Sequence, residues 1–326
     1  MPLICDPSLS LAACIDIGGT KALIGFVDSD GNVLARERFL VVPGSDPVEL
    51  VRDLSEKVRA LAQRSGFNWH RILGVGYSTA GMLDIKREIV FSSPNQGQWQ
   101  DAPFGALLKQ AFNLPVWIEM DANAAAIGEG WKGHGAGVDY FVHLIIGTGV
   151  GSGILVHGEI LHGWRGTAGE IGHTIIDPNG PLCNCGGRGC LESLVSGPAI
   201  AARAQVMRLD HQTGGAQEEI SAETVFAAAR RGDASARQVV ADTVNYLSIG
   251  LTNLIHLLNP QVITIGGGVG VGGADLLMDP LREAIKHRVG NWVDMEGTHI
   301  LTARLGEDAG LLGAACLVWK GLSQAK

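Results

Sequence analysis

One pattern occurs twice in this 326-residue chain: an apolar strand, a glycine–threonine turn, a second apolar strand and a tight turn. In the first copy the run Leu11–Ile17 enters Ile17-Gly18-Gly19-Thr20, residues 22–27 form the next strand, and Asp-Ser-Asp-Gly-Asn leads into 33–42. In the second copy residues 141–146 enter Ile146-Gly147-Thr148-Gly149, then 154–156 follow, and His157-Gly158-Glu159 turns the chain into 160–161. Apolar runs joined by Asp-Gly and His-Gly turns read as hairpins. Overlaying the first glycine of each turn sets Phe26 and Leu155 at the same distance from it. A duplicated supersecondary unit implies two related halves, each with its own sheet.

Between and after the repeats, strands alternate with helices, the signature of mixed α/β sheets. Apolar spacing predicts helices over 46–65 and 104–112, strands at 72–78 and 116–119, and a small-residue helix opening after Asp121. Further on it predicts helices at 198–209, 222–231, 234–258, 279–289 and 308–320, with strands at 261–265 and 299–303. The expected lobes are 1–120, smaller, and 121–307, larger, with the last helix, about 308–326, packing back on the first. A net charge of −8 argues against a nucleic-acid surface, which needs a basic footprint. No apolar stretch reaches membrane-spanning length, and the N-terminal residues lack the basic start of a signal peptide. Six cysteines in a chain this long do not form a secreted disulfide framework, so a reduced, cytoplasmic setting is expected.

Three of those cysteines lie in 168–197, AGEIGHTIIDPNGPLCNCGGRGCLESLVSG. His173, Cys183, Cys185 and Cys190 have the types and number of a closed tetrahedral zinc site, and interleaved glycines let the backbone turn around an ion. With all four positions filled by protein, the zinc is expected to be structural. Glu170 and Glu192, held against that frame, are placed to accept hydrogen bonds from several hydroxyls, as on a sugar. The two Gly/Thr turns offer backbone N–H groups to phosphates, although neither is a P-loop. The run Gly266-Gly-Gly268-Val-Gly-Val-Gly-Gly273 contains GxGxxG after a strand; it is better read as a glycine turn that admits a nucleotide than as a dinucleotide fingerprint. Asp121, at a strand–helix junction, is either a helix N-cap or a general base at a strand end.

Taken together, Asp16-Ile-Gly-Gly-Thr-Lys21, Asp121-Ala-Asn, Glu170-Ile-Gly-His173, Cys183-Asn-Cys185-Gly and Gly189-Cys190-Leu-Glu192 resemble the ROK family of sugar kinases and sugar-responsive repressors, over essentially the whole chain. The resemblance implies an actin-like (ribonuclease H-like) ATPase fold of two lobes, with duplicated mixed sheets and a cleft between them. It implies transfer of the ATP γ-phosphate, with Mg²⁺, to the 6-hydroxyl of a hexose. Glucose is the expected acceptor, and N-acetylmannosamine or N-acetylglucosamine the alternative. Asp121 then resembles the catalytic base, and Gly81, Asn95, Asp121, Glu170, His173 and Glu192 resemble sugar contacts. Asp16, Gly18, Gly19, Thr20, Lys21, Thr148, Gly149, Gly266, Gly267 and Gly268 resemble the ATP–Mg²⁺ contacts, with Asp16 nearest the magnesium. A homodimer or homotetramer is implied. A repressor would carry an added DNA-binding domain, for which little chain precedes the first repeat. The sequence departs from the family at Met120, where Asn commonly contacts the sugar, at Ala80, where Pro or Gly is usual, and at Ser152, which replaces a glycine.

Overall fold

A computed structural model describes residues 10–18, 21–42, 44–92, 99–207 and 220–324. Gly19, Thr20 and Asn95 lie outside the described residues. The chain forms two compact units, one of 1–137, 160–168 and 307–326, the other of 138–159 and 169–306.

The first unit opens with β1 (Leu11–Ile17), β2 (Lys21–Asp28) and β3 (Val33–Leu40). Then come α1 (Pro47–Arg64), β4 (Ile72–Thr79), a small hairpin of β5 (Met82–Asp84) and β6 (Ile89–Ser92), α2 (Phe104–Phe112), β7 (Val116–Met120) and α3 (Asp121–Lys132). Five strands form one sheet in the order β3-β2-β1-β4-β7, antiparallel across β1, β2 and β3 and parallel across β1, β4 and β7. The central strand β1, Asp16 apart, is apolar on both faces because both are covered. The edge strand β3 instead alternates and exposes Arg36 and Arg38, which discourages pairing with another chain. Asp46 starts α1 by accepting from the Val48 and Glu49 N–H groups, with Pro47 behind it, and Leu50, Val51, Leu54, Val58 and Leu61 face the core.

The second unit repeats the plan. It contains β8 (Tyr140–Ile146), β9 (Val150–Val156) and β10 (Glu159–Ile160), then α4 (Leu191–Val195), α5 (Gly197–Val206), α6 (Ala222–Arg230), α7 (Ala234–Leu258), β11 (Val262–Gly266), α8 (Gly267–Gly272), α9 (Ala274–Val289) and β12 (His299–Thr302). Its sheet runs β10-β9-β8-β11-β12, with β8 antiparallel to β9 and β11 parallel to β8 and β12. The duplicated sheet is therefore present, but the glycine overlay is out of register by one residue. Four residues (18–21) separate the paired Ile17 and Ala22, whereas three (147–149) separate Ile146 and Val150. Phe26 pairs with Ala13, four residues before Ile17, and its counterpart is Ile154, paired with Val142 four before Ile146. Leu155 points to the opposite face, because side chains alternate along a strand. Two other expectations shift. The glycine run after β11 is no open turn but the short helix α8. The helix expected at 279–289 begins at Ala274 and carries Pro280 in its second turn.

The chain closes with α10 (Ala309–Gln324), which packs on α3, β1 and β4 of the first unit. Glycines allow backbones to touch there: a Cβ on Gly313 would lie 1.7 Å from the Ala124 carbonyl oxygen, and one on Gly76 2.0 Å from that of Ala314. Among the described residues no helix is long and apolar enough to cross a membrane.

Candidate active site

The first unit brings several candidates to the C-terminal ends of its parallel strands, where open α/β sheets place ligand sites. Asp16 on β1 pairs with Ser78 on β4, and the Ser78 hydroxyl donates to Asp16 Oδ1 at 2.7 Å. Burial pushes the Asp16 carboxyl up to about 6, against the lowering effect of that hydrogen bond. A carboxylate so desolvated gains most from a bound cation, so its chemistry fits a magnesium role. The absence of a side chain at Gly310 leaves room for it, since a Cβ there would lie 2.4 Å from Asp16 Oδ2. The first Gly/Thr turn begins alongside: Gly18 N–H donates to the Lys21 carbonyl at 2.9 Å, and Ala80 N–H to the Ile17 carbonyl at 3.0 Å. Gly81 follows at φ +123°, a backbone that suits glycine.

Asp121 is the first residue of α3, not its cap; Met120 holds the N-cap position and contributes no side-chain capping bond. The half-buried Asp121 carboxylate accepts from the Ala122 N–H at 2.8 Å. Met120 is buried in the core of the first unit and offers no polar group there. Glu119, which motif reading passed over, is a buried carboxylate bonded to His162 at 2.7 Å. Only its position inside an apolar strand, two residues before Asp121, hints at it in the sequence.

In the second unit the metal candidates converge. One ligand atom from each of His173, Cys183, Cys185 and Cys190 lies within 4.8 Å of all the others, a separation that a single tetrahedral ion can bridge. The donor set of three thiols and one imidazole fits zinc. Burial pushes the Cys183 thiol up and that of Cys190 to about 12, whereas the Gly187 N–H lowers Cys185, so metal binding must displace protons.

That loop is fastened to the second Gly/Thr turn. Glu192 Oε2 accepts the Val150 N–H at 2.9 Å, while a Cβ on Gly149 would lie 2.6 Å from the same oxygen. Gly197 N–H donates to the Gly147 carbonyl at 2.8 Å. Ser152, the residue out of family pattern, donates its hydroxyl to the Gly169 carbonyl at 2.6 Å and so ties β9 to the start of the loop. Glu170 sits just beyond; loss of water around its carboxyl pushes it above the usual range, His173 opposes this and Glu192 adds to it. Gly267 lies against the Ile146 carbonyl, where a Cβ would stand 2.4 Å away, so the start of α8 adjoins the turn that holds the exposed Thr148. The second unit thus collects Thr148, Gly149, Glu170, His173, Glu192 and Gly266–Gly268 around one hairpin end.

Two sheets of one topology, each closing its central hairpin with a glycine turn, define the duplicated α/β class with the actin-like ATPase fold. Residues 12–320 match the model of the ROK family. The chain belongs to the ROK family. It is 34% identical to a glucokinase of Thermotoga maritima, over 96% of this chain and 98% of that one. It is also 34% identical to an N-acetylmannosamine kinase of Escherichia coli, over 93% and 96% of the two chains. A crystal structure of a ROK family glucokinase from Streptomyces griseus, in complex with glucose and AMPPNP, superposes with a TM-score of 0.80 at 33% identity, covering 94% of this chain and 99% of that one.

Proposed function

We propose that this chain is an ATP-dependent hexose kinase that phosphorylates the 6-hydroxyl of glucose. The observation that carries the reading is Asp121: a half-buried carboxylate at the end of a parallel strand, in a chain whose relatives include glucokinases over nearly its full length. Phosphoryl transfer asks a protein for positioning and charge neutralisation more than for covalent chemistry. Asp121 accepts the hydroxyl proton as the sugar oxygen attacks. Glu170, His173 and Glu192 orient the sugar, with Gly81 and Asn95 as further contacts. Gly18 to Lys21, Thr148, Gly149 and Gly266–Gly268 receive the nucleotide. Magnesium bound with ATP, near Asp16, supplies neutralisation of phosphate charge. Zinc, held by His173, Cys183, Cys185 and Cys190, stiffens the loop that carries the sugar ligands. The three thiols must stay reduced for this, which favours the cytoplasm. A homodimer or homotetramer belongs to the same reading, and light scattering on the purified chain tests it.

A second acceptor class, the N-acetylhexosamines, is supported by the likeness to the N-acetylmannosamine kinase, as high as that to the glucokinase. Met120, where the resemblance has an Asn that contacts the sugar, offers a buried thioether and no polar group. Coupled ADP release over glucose, mannose, N-acetylmannosamine and N-acetylglucosamine decides between the two. The highest kcat/KM belongs to glucose if the first reading is right and to an N-acetyl sugar if the second is. Release on none of them, with sugar binding retained, makes the chain a sugar-binding regulator instead. Asp121→Asn is expected to bind sugar normally and lose at least about a hundredfold in turnover; near-normal turnover ends the base assignment.

A further inference from the structure

We propose that Glu119 and His162 form a positioning pair that holds Asp121 in its working geometry. The proposal rests on Asp121 being the base, as above. Glu119 is only 2% exposed, and a carboxylate that deeply placed is tolerated only when its oxygens are hydrogen-bonded. Both are. Oε1 accepts the Met120 backbone N–H at 2.9 Å and the Asn123 side-chain amide at 3.0 Å, and Oε2 meets His162 Nε2 at 2.7 Å. Met120 is the last residue of β7 and Asn123 lies in the first turn of α3, so one carboxylate fastens the chain on either side of Asp121. With Met120 contributing no cap, these bonds take over the bracing of the strand–helix junction.

His162 arrives from 43 residues away. It lies in Ile160–Ala168, a segment of the first unit that closes on itself through the Ala168 N–H and the His162 carbonyl at 3.1 Å. The hydrogen bond to Glu119 raises the basicity of the imidazole; partial burial opposes this and the field of the carboxylate adds to it. An N–H on a carboxylate makes a charge-assisted bond about twice as strong as a neutral one. Losing it leaves a buried oxygen without its partner and frees the carboxylate to rotate away from Met120 and Asn123. A base displaced by a fraction of an ångström costs turnover more than binding.

The test compares His162→Leu, which removes the donor, with His162→Gln, which keeps an N–H. At equal folded fraction, His162→Leu is expected to lower kcat on the order of 10- to 100-fold, with sugar and ATP KM within about threefold. His162→Gln should restore most of that loss. Glu119→Gln is the second variant should His162→Leu not fold; it should lower kcat in the same way, and adding His162→Gln to it should cost little more. Unchanged kcat, equal loss in Leu and Gln variants, or a loss carried by KM overturns the pairing. Wild-type protein that releases ADP on no sugar would sink the kinase reading instead. Hydrogen exchange at the Met120, Asp121 and Ala122 amides, read without substrate, then still decides. Faster exchange in His162→Leu than in His162→Gln upholds the bracket, and equal rates overturn it.

Discussion

Alanine at Gly189 should weaken zinc binding far more than alanine at Gly186, three residues away in the same loop. Both glycines have positive φ, +69° and +89°, so either substitution forces an L-residue into the left-handed region at about 1–2 kcal/mol. Beyond that they differ. Around Gly186 nothing lies within 4 Å of an added Cβ. At Gly189 the same carbon would stand 1.5 Å from the Asp177 carbonyl oxygen, a backbone atom that no rotamer change can move. Relief requires parting the strands of the loop and giving up the bonds that hold Gly189: its N–H to the Pro181 carbonyl at 2.8 Å, and its carbonyl to the Ile176 and Asp177 N–H groups at 2.8 and 3.2 Å. At about 1 kcal/mol net for each, these add about 3 kcal/mol. Cys190 is the next residue, so the loss falls on a metal ligand. Competition with a chromogenic chelator reads the result. Gly186→Ala should weaken zinc by about 5- to 30-fold and Gly189→Ala by a further factor of about 100. Equal zinc affinity in the two variants would refute the claim that carbonyl overlap, and not the left-handed backbone, governs the loop.

Other outcomes follow from the same geometry. Cys185→Ser should lower zinc stoichiometry in purified protein, and full retention would remove Cys185 from the ligand set. Zinc withdrawal should raise the sugar KM at least as much as the ATP KM; an effect confined to ATP would mean that the loop does not serve the sugar. His143 is buried, meets Thr264 Oγ1 at 2.8 Å and has its pKa pushed down by burial to about 4 from 6.5. The unfolded chain takes up this proton first, so stability present above about pH 6.5 is lost as pH falls towards 4, by at most about 3 kcal/mol. Urea midpoints of His143→Gln should therefore decline less steeply across that window than those of the parent, and an identical slope would discount the residue. Gly313→Ala, which drives a Cβ to 1.7 Å from the Ala124 carbonyl oxygen, should cost about 3 kcal/mol of stability. Gly272→Ala, with open space around it, should leave the melting temperature nearly unchanged.

Local chemistry made much of the site legible in the chain. Ligand type and interleaved glycine pointed to the Cys and His cluster, because a metal site is written in donor atoms and tight turns. Asp121 stood out as a candidate from its strand–helix junction, although its position as first helical residue, with Met120 at the N-cap position and no side-chain cap, emerged only from the backbone. Glu119 was passed over, and Ser152 was noted without a role, for one reason. Each sits in an apolar or glycine-rich run where its neighbours in sequence say nothing of its partner, His162 in one case and the Gly169 carbonyl in the other.

The sequence by itself determined the kinds of element, the duplication of the hairpin and the residue types able to hold zinc and take a proton, since these follow from periodicity, turn residues and side-chain chemistry. Tertiary structure alone decided which residues of the two repeats correspond. Side-chain direction alternates with every residue, so one extra residue in the first turn exchanges Leu155 for Ile154 as the counterpart of Phe26 in the second repeat. It also decided that Glu192 reaches the second glycine turn and that His162 closes on Glu119. Such contacts join segments far apart in the chain, and only the assembled sheets bring them within hydrogen-bonding distance.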